Sequence, residues 1–141
     1  MNKSKKAYIR ALRLLSKKSY SENELKEKLS QYDKNVIDEI IKRLKKDGLI
    51  DDKKLAEKIV EKSFERKKGL YYIIRELKRK KIPEEIITQV KENFDFQREY
   101  KIAKELVERR KNKKKSSLFL FLKGKGFSSS TFNKLREKYG E

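Results

Sequence analysis

Apolar residues return along the chain at helical spacing. Tyr8, Ala11, Leu12 and Leu15 make one stripe, and Leu25 and Leu29 begin a second. Ile37, Ile40, Ile41 and Leu44 make a third, at the i, i+3, i+4, i+7 spacing of one helix face. Start and stop signals sit between these stripes. Ser21 can cap the second helix, with Glu24 three residues on as a capping-box partner and Tyr20 as a hydrophobic staple. Asp33 can cap the third helix, and Gly48 can end it in the left-handed conformation.

The same order then recurs. Ala56, Ile59, Val60 and Phe64 predict a first helix, and Leu70, Ile73, Ile74 and Leu77 a second. Ile86, Ile87, Val90 and Phe94 predict a third, with Pro83 in its opening turn and Glu84 and Glu85 facing the helix dipole. A last round runs through Ala103, Leu106 and Val107, then Leu118, Phe121 and Leu122, then Phe132 and Leu135 after Ser128-Ser129-Ser130. In register, Ala11, Ala56 and Ala103 correspond, as do Leu29, Leu77 and Leu122, and Ile37, Ile87 and Phe132. The pattern predicts an all-α tandem array of three three-helix repeats, elongated or curved, over residues 1–50, 51–96 and 97–141.

The stretch "SSLFLFL" alone has the look of a buried strand. Repeat register makes it a helix that is apolar all round, with Leu120 opposite the core stripe. The expectation is that the last unit packs it on two sides; the alternative is an exposed apolar contact patch.

Composition narrows the function. Charged residues make up 45% of the 141 and hydrophobic residues only 35%, which suits a thin core of amphipathic helices rather than one large core. With no His and no Cys, the commonest general base, the thiol nucleophile and most zinc sites are missing, and no glycine-rich phosphate loop is present. A binding protein without cofactor or metal is expected, not an enzyme. No segment is long and apolar enough to span a bilayer, so a cytoplasmic protein is the default expectation, and a monomer is expected. Asp51-Asp52 lacks the further oxygen ligands of a metal loop and reads instead as a helix cap after Gly48-Leu49-Ile50.

Net charge is +19, a field that attracts polyanions. The outer units carry most of it: 14 basic against 7 acidic residues in the first and 14 against 5 in the last, compared with 13 against 10 between them. The run Arg109, Arg110, Lys111, Asn112, Lys113, Lys114, Lys115 joins two predicted helices, where it can contact phosphate without sequence preference or serve as a solvated linker. In the second unit Tyr72, Arg75 and Arg79 fall opposite the core stripe, an exposed tyrosine beside two arginines. With Lys67, Lys68, Lys123 and Lys125 these form the candidate contact set for a partner protein or nucleic acid.

An ordered series of residues resembles the RecX family of bacterial regulators of the RecA recombinase. It comprises Ser21, Glu22, Glu24 and Leu25; Gly48, Asp51 and Asp52; Ala56; Gly69; and Glu76, Leu77 and Ile82, with a weaker echo at Phe121, Leu122, Gly126 and Phe127. Lys81 stands where the family often has glycine, and "SQYDKN" is a short joint. The resemblance implies helical repeats that bind the RecA filament, close to its single-stranded DNA, and restrain ATPase, strand-exchange and coprotease activities. It brings no catalytic residues. The competing expectation is a sequence-tolerant nucleic-acid-binding or helix-turn-helix-like regulator acting without RecA.

Overall fold

The computed structural model describes residues 2–110 and 112–140. Among these, nine helices follow one another in three trios. They are α1 (Lys3–Lys17), α2 (Glu22–Lys28), α3 (Lys34–Lys46), α4 (Asp52–Glu65), α5 (Leu70–Arg79), α6 (Glu84–Glu92), α7 (Phe96–Arg109), α8 (Lys115–Gly124) and α9 (Ser129–Tyr139). The fold is an all-α array of three-helix units. No described helix is long and apolar enough to cross a membrane.

Local chemistry sets the boundaries. Ser21 and Glu24 form a reciprocal capping box on α2: Ser21 Oγ accepts the Glu24 N–H at 3.1 Å, and Glu24 Oε1 accepts the Ser21 N–H at 3.0 Å. Gly48, at φ +72°, ends α3 in a Schellman turn, with Leu49 N–H donating to Leu44 O and Gly48 N–H to Lys45 O. Asp51 Oδ1 then accepts the Lys54 N–H at 3.1 Å and starts α4. Asp33 stands at the start of α3 but makes no side-chain cap bond.

The core is built from two clusters. One lies within the first trio, around Ala7, Ala11, Leu25, Leu29, Ile40 and Leu44. The other runs without a break through the second and third trios, from Ala56, Ile73 and Leu77 to Ala103, Leu122, Phe127 and Leu135. The last two units therefore share one core, while the first keeps its own and joins them through hydrogen bonds.

Two expectations change. On α1 the inward stripe is Ala7 and Ala11 flanked by Leu14 and Leu15, while Leu12 faces out. The small alanines let α1 lie close against α3, so the stripe turns toward them. "SSLFLFL" is helical, but Leu120 is 71% exposed rather than packed on two sides. Leu118 and Leu122 take the inward direction, and Leu120, two positions from each, points the other way, where no described element covers it.

Candidate polyanion-binding surface

The joints between units place the basic side chains. At the first, Ser21 Oγ donates to Lys80 O at 2.5 Å and Asn23 Nδ2 to Lys81 O at 3.1 Å, so the start of α2 rests on the end of α5. The Lys80 ammonium donates to Ser19 O at 2.9 Å and pairs with Glu24 at 3.0 Å, while Lys81 pairs with Glu27. At the second joint the main chains meet directly. Gly69 N–H donates to Lys125 O at 3.0 Å and Tyr71 N–H to Gly126 O at 2.8 Å. A Cβ on Gly69 would stand 2.4 Å from Phe127 Cα, and one on Gly126 would stand 2.6 Å from Tyr72 N, so only glycine permits this approach.

Docking of the first two units opens a groove of about 430 Å³ between the end of α1, α4 and α5. Lys58 and Lys62 line it from α4 and Arg66 from its C-cap, each four residues after the last and so along one side. Lys18, Arg79 and Lys80 line it from either side, with Tyr72, Leu55 and Ile59 as its apolar and aromatic floor and Glu76 as the one carboxylate in its lining. Glu76 engages Arg79 at 3.0 and 3.3 Å and holds its pKa above the usual arginine value through that hydrogen bond.

Tyr72 carries this surface onward. The Lys68 ammonium lies 5.1 Å from the Tyr72 ring centre and the Arg75 guanidinium 5.8 Å. Beyond the joint, Arg110 stacks over Phe121 at 3.8 Å, and Lys125 reaches the same ring at 5.3 Å. The Lys125 pKa is pushed down, first by burial and then by the neighbouring Lys68 and Arg110 charges. A cationic surface interleaved with rings thus crosses all three units.

The expected site residues divide accordingly. Lys68, Tyr72, Arg75, Arg79, Arg110 and Lys125 come together. Tyr72 is half-buried instead of exposed, because Gly126 packs on its backbone and cations cover its ring; Tyr71 is the exposed one, at 51%. Lys67 sits in the turn after α4 at φ +62°. Arg109 points away from the joint, lining a recess with Lys101, Lys104, Glu105 and Glu108. Lys113, Lys114, Lys115 and Lys123 are exposed on and before α8, and Lys111 lies outside the described residues. The sequence reading did not single out Lys18, Lys58, Lys62 and Arg66. Their signal was the basic period of four along α4, which its apolar stripe overshadowed.

Residues 7–44 match the profile of the first three-helix domain of RecX, and residues 51–90 that of the second. The chain is 34% identical over 120 residues to the regulatory protein RecX of Clostridioides difficile, covering 81% of this chain and 57% of that protein. It is 32% identical over 126 residues to the regulatory protein RecX of Pelodictyon phaeoclathratiforme, covering 83% and 78%. The chain thus spans less than two thirds of the Clostridioides relative. Its fold superposes on the crystal structure of RecX from Lactobacillus salivarius with a TM-score of 0.81, 25% identity and coverage of 96% and 95%. With both three-helix domains matched and relatives alignable over four-fifths of its length, this chain belongs to the RecX family.

Proposed function

We propose that this protein binds RecA–DNA filaments and modulates RecA, chiefly by inhibiting its recombinase, ATPase and coprotease activities. It acts as a cytoplasmic monomer of three units, 1–50, 51–96 and 97–141, in DNA recombination, repair and the SOS response. The carrying observation is the unbroken cationic surface from the groove at Lys18, Lys58, Lys62 and Arg66 through Tyr72 to Arg110 and Lys125. It suits a partner whose surface includes a phosphate backbone. Membership of a family of regulatory proteins supports the choice of RecA, with single-stranded DNA contacted directly or through RecA.

The test is RecA's ATP hydrolysis on single-stranded DNA, titrated with this protein from substoichiometric to stoichiometric ratios. Falling hydrolysis is the expected result, and none across that range overturns the proposal. Because the groove is complete within this chain, a second reading is a sequence-tolerant DNA-binding regulator that works without RecA. Tight DNA binding indifferent to RecA selects it.

A further inference from the structure

The two joints differ in one respect that bears on ligand binding. By register, Gly69 replaces Ser21, Tyr72 replaces Glu24, Arg75 replaces Glu27, and Lys125 replaces Lys80. At the first joint Lys80 is answered by Glu24 at 3.0 Å. At the second, the residue in register with Glu24 is Tyr72, which carries no charge, and Lys125 lies over the Phe121 ring instead. Its nearest charges are Lys68 and Arg110, both of its own sign. Among the described residues no carboxylate pairs with Lys68, Arg110 or Lys125.

These cations do not meet by free choice of rotamer. Gly69 N–H is bound to Lys125 O at 3.0 Å, and Lys68 directly precedes Gly69, so both lysines leave the backbone at one fixed point. Phe121 holds Arg110 and Lys125 on its face, and Tyr72 holds Lys68. Another like-charge contact, Lys138 with Lys104, has the Glu108 carboxylate beside it as a weak counter-charge. The second joint has no such internal anion. Lys68 and Lys125 are half-buried, where like charges repel more strongly than in solvent, and charge-assisted hydrogen bonds to phosphate oxygens would reverse that energy.

We infer that the joint between the second and third units is a phosphate-binding site formed by Lys68, Arg110 and Lys125. The phosphate supplies the negative charge that Glu24 supplies at the first joint. Its source is either a phosphodiester of single-stranded nucleic acid or a free phosphate group. Occupancy offsets part of the joint's positive charge and so stabilises the shared core of the last two units. The site does not depend on the RecA proposal.

Thermal unfolding of the full chain in phosphate and in chloride at equal ionic strength tests the site without RecA. Phosphate should raise Tm beyond chloride in a concentration-dependent way, as a ligand of the native state does. Lys125→Gln and Lys68→Gln should each lose that increment, while Lys91→Gln on α6, with the same charge change, should keep it. Equal shifts in the two salts, or an increment retained by Lys125→Gln, overturn the site. Binding of a fluorescent oligothymidylate then separates the sources. If the phosphodiester is the ligand, Lys125→Gln reduces the slope of log K against log salt by about 0.7 relative to Lys91→Gln. If the phosphate increment is lost but the slope is unchanged, the site takes free phosphate. A RecA ATPase result of either sign leaves these outcomes intact.

Discussion

Asp52 and Glu99 occupy equivalent places one unit apart, and each carboxylate reaches back to the first N–H of the middle helix of the preceding unit. Asp52 Oδ1 accepts from Glu22 at 2.9 Å, and Glu99 Oε2 accepts from Leu70 at 2.8 Å. The repeat thus carries its own fastener: the leading helix of one unit supplies an acceptor to an orphan donor of the unit before it. The two sites differ in depth. Asp52 is half-buried, whereas Glu99 is wholly buried and also accepts from Ser128 N–H at 3.1 Å, Ser128 Oγ at 2.5 Å and Thr131 Oγ1.

Loss of these carboxylates should therefore be unequal. Glu99→Gln presents an amide to a ring of donors and should cost about 3 kcal/mol, the scale for an unsatisfied charged network. Asp52→Asn should cost about 1 kcal/mol, as for a lost cap. Urea denaturation of both variants checks the ranking. Equal losses would show that Glu99's extra partners contribute nothing.

Backbone conformation gives a second set of expectations. Lys67 and Lys81 both hold φ near +60° in Schellman turns that glycine normally closes, with Lys68 N–H bonded to Ser63 O and Ile82 N–H to Leu77 O. Lys67→Gly and Lys81→Gly should each stabilise the fold by about 1 kcal/mol by removing left-handed strain. The exposed Lys81–Glu27 pair that the second change removes is worth little. Gly69→Ala should act in the opposite sense and far more strongly, since its Cβ meets Phe127 backbone at 2.4 Å. Gly48→Ala should cost only the strain, about 1 kcal/mol, because nothing lies within 4 Å of its Cβ. Thermal melts of the four variants order them.

What was legible in the sequence follows from distance along the chain. The capping box of Ser21 and Glu24, the stop at Gly48 and the cap at Asp51 are contacts within a few residues, and each was readable from spacing. Spacing makes Asp52 a cap for the helix it begins, but it serves α2 instead, because its partner Glu22 is brought near only by folding. Glu99 carried no local signal at all. It sits in an amphipathic helix like any surface glutamate, and its donors come from α5 and the start of α9. The basic surface shows the same division. The run at 109–115 stands out by density, yet Arg109 and Arg110 part to a recess and to the Phe121 ring, while Lys18 joins Lys58, Lys62 and Arg66 in one groove. Leu120 departs from expectation because helical register gives a direction but not whether a neighbour lies there.

Alkaline titration has a definite sign at Tyr139. Its hydroxyl donates to Glu108, and that hydrogen bond, helped by burial, pushes its pKa from 10.0 up to about 12. A raised folded-state value favours the protonated form, so the contribution to stability is complete below pH 10 and is lost as pH rises toward 12. Tyr139→Phe should lose that contribution at neutral pH and show a flatter decline of stability across the same interval. Urea denaturation at stepped alkaline pH provides the check, and parallel wild-type and variant curves would exclude the Glu108 bond as the cause.

The groove and the exposed lysines around α8 make separable demands on binding. Lys58, Lys62 and Arg66 are aligned along one side of α4 and its C-cap and line one groove with Tyr72, so a bound strand can contact all three at once. Lys113 and Lys114 precede α8 on an exposed loop, and ordering them on a ligand costs backbone entropy that α4 has already lost in folding. Replacing Lys58, Lys62 and Arg66 by Gln should lower the salt slope of single-stranded DNA or filament binding by about 2, from roughly 0.7 for each phosphate contact. The pair Lys113→Gln and Lys114→Gln should lower it by less than 1 on the same scale. The groove triple should also weaken RecA ATPase inhibition more than the loop pair, at unchanged stability. If the loop pair has the larger effect in both assays, the principal contact lies on the α7–α8 connection and not in the groove between the first two units.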